Sequence, residues 1–130
     1  MSIPIENKGK IVLVGETQTG KSSLINRLIF QKFEYLCNTI CAGVFNKIFK
    51  YNSRRKIKLE IWDTSGQKKY MPFTKIFIKN ADVVVFVYSI INKASFEEIK
   101  NYWYGEIKKI CLKEPSIYLF NFNSIFFGSK

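Results

Sequence analysis

The chain has 130 residues, 47% of them hydrophobic, and a formal charge of +11. That length gives one domain with a real core, and that apolar fraction excludes a disordered chain; no apolar run approaches the roughly 20 residues of a membrane-spanning helix. Histidine is absent, which excludes imidazole acid–base chemistry and histidine metal ligation while leaving a hard cation on oxygen ligands allowed.

Residues 1–9 have no apolar signal core and read as a tail, which points to a cytoplasmic chain. The three cysteines, Cys37, Cys41 and Cys111, share no disulfide or metal spacing and read as reduced thiols, in keeping with that compartment. Ile11, Val12, Leu13 and Val14 form a short apolar run suited to a strand buried on both faces. Gly15-Glu16-Thr17-Gln18-Thr19-Gly20-Lys21-Ser22 follows, a complete G-x-x-x-x-G-K-S/T loop. Its glycines let backbone N–H groups point inward around the phosphates of a nucleoside triphosphate. Lys21 then reaches the terminal phosphates, and the Ser22 hydroxyl is placed to ligate Mg²⁺. Leu24, Ile25, Leu28 and Ile29 recur at helical spacing. The loop therefore opens a helix, whose N-terminus favours anionic charge.

Residues 33–43 lack periodicity and read as a loop. Residues 44–51 alternate, with Phe45, Phe49 and Tyr51 on one face and Val44 and Ile48 on the other. Ile57, Leu59 and Ile61 alternate again after a turn at Asn52 and Ser53, giving an antiparallel hairpin. Arg54, Arg55, Lys56 and Lys58 make the one compact basic cluster, beside that turn. Charge of this kind describes solubility and steering, so no specific nucleic-acid recognition is expected. Residues 63–69 form a polar loop, and residues 72–79 a short helix with Pro72 near its start. Residues 82–88 give another strand buried on both faces. Ser95, Phe96, Glu97 and Glu98 fit a capping box with Ser95 as the cap. Phe96, Ile99, Trp103, Ile107 and Ile110 then line one helical face up to the break at Pro115. Residues 117–120 supply a further strand. Alternating strands and helices predict an α/β fold: a mostly parallel sheet, one antiparallel hairpin, and helices on both faces. Ligands bind such sheets beyond the carboxyl ends of the strands, where the phosphate loop falls.

A second constellation, Ile61-Trp62-Asp63-Thr64-Ser65-Gly66-Gln67, follows a strand. Asp63 is placed to hold Mg²⁺ opposite Ser22, the Gly66 N–H to approach a γ-phosphate, and Gln67 to orient an attacking water.

These two segments, with Thr39-Ile40-x-Ala42 and Ser95-Phe96-Glu97, resemble the Ras superfamily of small GTPases and, through Trp62, its Rab branch. The resemblance covers residues 10–119, a G domain of the P-loop NTPase fold. It implies a switch that binds Mg²⁺·GTP and hydrolyses it slowly to GDP, in vesicle trafficking. It implies that Lys21 and Gln67 are catalytic and that Ser22, Thr39 and Asp63 hold the metal. Gly15, Glu16, Thr17, Gln18, Thr19, Gly20, Lys21, Ser22, Ser23 and Gly66 would surround the phosphates, and Phe33 would pack on the guanine. Segments around Thr39 and Gly66 would be switches read by an exchange factor, a GTPase-activating protein and effectors. The sequence also departs from the family. Where Asn-Lys-x-Asp selects guanine, this chain has Asn121, Phe122, Asn123 and Ser124. Lys68 stands where Glu usually follows the Gln. Residues 120–130 are atypical and contain no cysteine to prenylate, so no lipid anchor is expected, and the family's last strand and helix are lacking. A second reading is therefore a truncated, non-catalytic phosphate-loop piece without guanine selectivity.

Overall fold

The computed structural model describes residues 5–16, 19, 21–30 and 42–121. Its elements run β1 (Ile5–Val14), α1 (Lys21–Phe30), β2 (Ala42–Asn52), β3 (Arg55–Thr64), α2 (Met71–Ile78), β4 (Val83–Tyr88), α3 (Lys93–Glu98), α4 (Tyr104–Ile110) and β5 (Ser116–Asn121). Among the described residues the strands form one five-stranded sheet in the order β2-β3-β1-β4-β5. β3, β1, β4 and β5 are parallel neighbours, and β2 pairs antiparallel with β3. The expected architecture is therefore present, with its hairpin at one edge.

The apolar run of β1 is buried because the sheet is covered on both faces. Val12 and Val14 point into a cluster with Ile78 of α2, Phe86 of β4, and Ile99, Trp103 and Ile107 of the long helical run. Leu13 points the other way, onto Ile25 of α1, Ile61 and Val87. The period of two along the strand places successive side chains in opposite cores.

Three expectations change. β1 begins at Ile5, so residues 5–9 are strand where a tail was expected. Lys, Asn and Gly are poor strand formers, but pairing with β3 (Asn7 opposite Ile57, Gly9 opposite Leu59) supplies the ladder that local propensity does not. Ser95 does not cap its helix: α3 starts at Lys93 with Asn92 at the N-cap. Ser95 lies buried inside the first turn, where its hydroxyl donates to the Asn92 carbonyl at 2.7 Å and accepts the Ser89 N–H at 3.0 Å. The helical run is also not uniform. A π-helical stretch, Ile99–Trp103, joins α3 to α4, and the Ile99, Trp103 and Ile107 face stays buried through it.

Asp82 ties the starts of β4 and β5 to the middle of β1. Its carboxylate accepts the Lys10 N–H at 2.8 Å and pairs with the Lys113 ammonium, and its carbonyl accepts the Ser116 N–H at 3.0 Å. The Lys113 contact first, and the Lys10 N–H second, hold its pKa below the ordinary carboxylate value. A depressed carboxylate pKa contributes stability above the unfolded-state pKa and loses it as pH falls through the folded-state value. Asp82→Asn is therefore expected to lower stability at neutral pH by up to about 1 kcal/mol, its partners being partly exposed. Urea melts of the two proteins should converge as the pH drops below about 4. An equal gap at neutral and acid pH would refute the charge-based account.

Candidate functional site

The loop after β1 turns at Gly15, whose φ is +149° and whose Cβ, if present, would lie 2.3 Å from the Val87 carbonyl oxygen. Only glycine fits there: the backbone lies in the region that L side chains avoid, and β4 is packed directly against it. The chain then wraps the side chain of Lys21, the first residue of α1. Lys21 is only 5% exposed. Its ammonium donates to the Gly15 carbonyl at 2.9 Å, the Glu16 carbonyl at 2.6 Å and the Thr19 hydroxyl at 3.5 Å. Thr19 in turn donates to the Glu16 carbonyl at 2.8 Å, closing the curl. Burial pushes the Lys21 pKa down to about 8, opposed by the negative charges of Asp63 and Glu16. A bound polyphosphate would add to that opposition and favour the charged ammonium.

Ser22, one residue on, donates its hydroxyl to the Asp63 carboxylate across 41 positions of sequence. Asp63 is almost fully buried near the carboxyl end of β3. Its register beside Leu13 of β1 carries it to the phosphate loop, and Thr64 locks the two strand ends by donating to the Leu13 carbonyl at 2.6 Å. A hydroxyl and a carboxylate in contact are hard oxygen donors of the kind Mg²⁺ uses when substrate phosphates and water complete its shell. Among the described residues no cluster of three or more His, Cys, Asp or Glu side chains forms a self-sufficient metal cage. The donor set therefore fits Mg²⁺ brought with a nucleotide.

Beyond β3 the chain stays buried through Ser65 and Gly66. The Ser65 hydroxyl accepts the Gln67 N–H at 3.1 Å, and the Gln67 carbonyl accepts the Tyr70 N–H at 3.0 Å. Gln67 thus opens a single 3₁₀ turn, Lys68–Tyr70, with its side chain partly exposed. Gly15, Glu16, Thr19, Lys21, Ser22 and Asp63 come together at the sheet's carboxyl end. Ser23 lies half-buried in the first turn of α1, and Gly66 and Gln67 follow on the loop out of β3. Thr17, Gln18, Gly20, Phe33 and Thr39 lie outside the described residues.

Two contacts at this site have no signal in the sequence. The buried Trp103 indole donates to the Glu16 carboxylate at 3.4 Å, joining the π-helical stretch to the phosphate loop. Lys68 pairs with Glu98 at 2.8 Å and lies 4.5 Å from the centroid of the Tyr102 ring. The hydrogen bond to Glu98 raises the Lys68 pKa. The segment after Gln67 is thereby tied to the same helical run.

Known proteins share this sequence pattern. Residues 10–124 match the family model described as the Ras family. Ras-related protein Rab-32D of Dictyostelium discoideum is 39% identical over 100 residues, covering 76% of this chain and 43% of the relative. GTP-binding protein ypt5 of Schizosaccharomyces pombe is 36% identical over 101 residues, 77% of this chain and 47% of that protein. Ras-related protein RABF2a of Arabidopsis thaliana is 37% identical over 100 residues, 76% of this chain and 49% of that protein. The chain spans about half the length of these relatives.

Proposed function

This chain belongs to the Ras family, and on that premise we propose that it is a Rab-like small GTPase that binds Mg²⁺·GTP and hydrolyses it slowly to GDP as a switch in vesicle trafficking. The observation that carries the reading is the contact of Ser22 with Asp63 beside the Lys21 ammonium, inside a glycine-turned loop at the carboxyl ends of β1 and β3. Lys21 and the loop N–H groups stabilise charge on the transferring phosphoryl group, at a site shaped before the reaction begins. Ser22 and Asp63 would hold Mg²⁺, with Thr39 as a further ligand, and the metal when bound would supply positive charge against the phosphates. Gly66 offers its N–H to the γ-phosphate, and Gln67 orients the attacking water without accepting its proton. Phe33 packs against the base. The segments around Thr39 and Gln67 change order with the γ-phosphate and present themselves to an exchange factor, an activating protein and effectors.

The relatives' printed names, Ras-related and GTP-binding, support the guanine nucleotide as ligand. Phe122 and Ser124, where the family has Lys and Asp, are the departures that motivate the second reading, a phosphate-binding piece without base selection. Equilibrium binding of fluorescent GTP and ATP analogues, with and without Mg²⁺, separates the two. Mg²⁺-dependent preference for GTP supports the switch; equal affinity for both supports the second reading. Where GTP is preferred, Gln67→Leu is expected to slow single-turnover hydrolysis at least about tenfold, because it removes the group that places the water. Affinity for a non-hydrolysable analogue should be unchanged. A variant that hydrolyses at the wild-type rate would remove Gln67 from the mechanism.

A further inference from the structure

The basic cluster beside the hairpin turn lies at the opposite end of β1 from Gly15, and the strand register gives it a form that the sequence does not. Lys50 of β2 lies directly opposite Lys56 of β3, and Lys58 of β3 lies directly opposite Lys8 of β1. Residues paired in this way share a face of the sheet, so Lys8, Lys50, Lys56 and Lys58 stand together on one side. Like charges placed opposite each other weaken a sheet. In the first cross-strand row lie Lys50, Lys56 and Ile5, with Glu6 at the bulge that follows Ile5, and in the second Ile48, Lys58 and Lys8. The carboxylates of the neighbouring row, Glu60 and Asp82, lie beside Lys10. Glu60 accepts the Trp62 indole N–H at 2.5 Å, and Asp82 accepts the Lys10 N–H and pairs with Lys113.

We propose that this face of the β2–β3–β1 sheet, centred on Lys8, Lys50, Lys56 and Lys58, docks on an anionic phospholipid bilayer. Three observations select a bilayer. The outward positions of the edge strand β2 run Val44, Asn46, Ile48, Lys50, with Val44 43% and Ile48 50% exposed, so aliphatic side chains alternate with polar and cationic ones. Aliphatic groups among ammonium groups suit the boundary between headgroups and acyl chains. The adjoining cleft, with Lys8, Lys10 and Lys58 on its wall beside Asn46 and the carboxylates of Glu60 and Asp82, has a volume of about 220 Å³. That is room for one phosphate headgroup rather than a run of nucleotides. The outward positions of β2 are not aromatic, and Trp62 of β3, opposite Val44, is already stacked on Phe77 with the Lys10 ammonium over its ring, whereas single-stranded nucleic acid is held largely by bases stacked on open aromatic rings. Docking here leaves the nucleotide site clear, because the length of β1 between Lys8 and Gly15 separates the two by roughly 20 Å along the strand.

The test is flotation of the full chain with vesicles of phosphatidylcholine alone and of an equal mixture of phosphatidylcholine and phosphatidylserine. Binding is expected only to the anionic vesicles and to weaken with salt. Each Lys→Gln change on this face should weaken it by roughly fivefold, so Lys8→Gln/Lys50→Gln/Lys58→Gln together should weaken it by about a hundredfold. A control of equal net charge, Lys79→Gln/Lys93→Gln/Lys108→Gln, should stay within about threefold of wild type. Where the first triple variant melts below wild type, the single variants Lys8→Gln and Lys50→Gln replace it, each expected at about fivefold. Equal binding to both vesicle types would overturn the proposal. So would an equal loss in the control, or tighter binding of a mixed-sequence RNA through the same lysines.

Discussion

Gly15→Ala is expected to weaken binding of a GTP analogue by at least about a hundredfold, close to 3 kcal/mol. The introduced methyl carbon would lie 2.3 Å from the Val87 carbonyl oxygen, on a residue with φ of +149°. Both faults are in the backbone, so no side-chain rotation relieves them. Holding a non-glycine residue in such a conformation costs of order 1–3 kcal/mol, before the contact with β4 is counted. β4 cannot retreat cheaply: Val87 is fully buried, and the neighbouring Phe86 pairs with Val14 of β1. The loop must therefore shift, and the carbonyls of Gly15 and Glu16 that hold the Lys21 ammonium shift with it. Gly105 is the matched control. An added Cβ there meets nothing within 4 Å, and the residue lies in α4 on an exposed position. Gly105→Ala should leave nucleotide binding unchanged and raise stability by about 0.5–1 kcal/mol through helix propensity. Gly15→Ala binding within about fivefold of wild type would mean that the loop adopts another conformation with nucleotide bound.

That contrast marks what a sequence discloses. The two glycines are the same letter, and in the sequence only the G-x-x-x-x-G-K-S/T spacing distinguishes Gly15 from Gly105. That Lys21, Ser22 and Asp63 come together was legible for the same reason: the loop and the strand-end carboxylate hold fixed offsets from adjacent strands. Strands β1 and β4 were legible as apolar runs because burial on both faces leaves no polar positions. The first half of β1 was not, since Lys8, Gly9 and Lys10 become strand only through the ladder offered by β3. Ser95 had the right chemistry and the wrong place, because the helix starts two residues before it and its hydroxyl is taken up by the Ser89 N–H and the Asn92 carbonyl. The links from Trp103 to Glu16 and from Lys68 to Glu98 span 87 and 30 positions respectively. No local pattern encodes a contact at such a separation.

Trp103 shows how far such a contact reaches. It reads in the sequence as one member of an apolar helical face, and it is fully buried among the largest side chains of the core. Trp103→Ala is expected to destabilise the fold by about 3–5 kcal/mol, through lost transfer free energy and the cavity left behind. Against a total of roughly 5–15 kcal/mol for a domain, that leaves a marginal protein. Urea unfolding should show the midpoint falling with the slope unchanged. Trp103→Phe separates packing from the polar contact. It keeps a ring in the core beside Tyr102, whose ring centroid lies 5.2 Å from that of Trp103, and it removes the indole N–H that reaches Glu16. Its stability loss should be the smaller, about 1–2 kcal/mol. Its nucleotide affinity should fall by more than that of a conservative truncation at Ile107, an apolar neighbour in the same cluster with no polar group to offer the loop. If Trp103→Phe and Ile107→Val lower affinity equally, the indole contributes packing alone, and the loop is held by Lys21 and the strand ends without help from the helix.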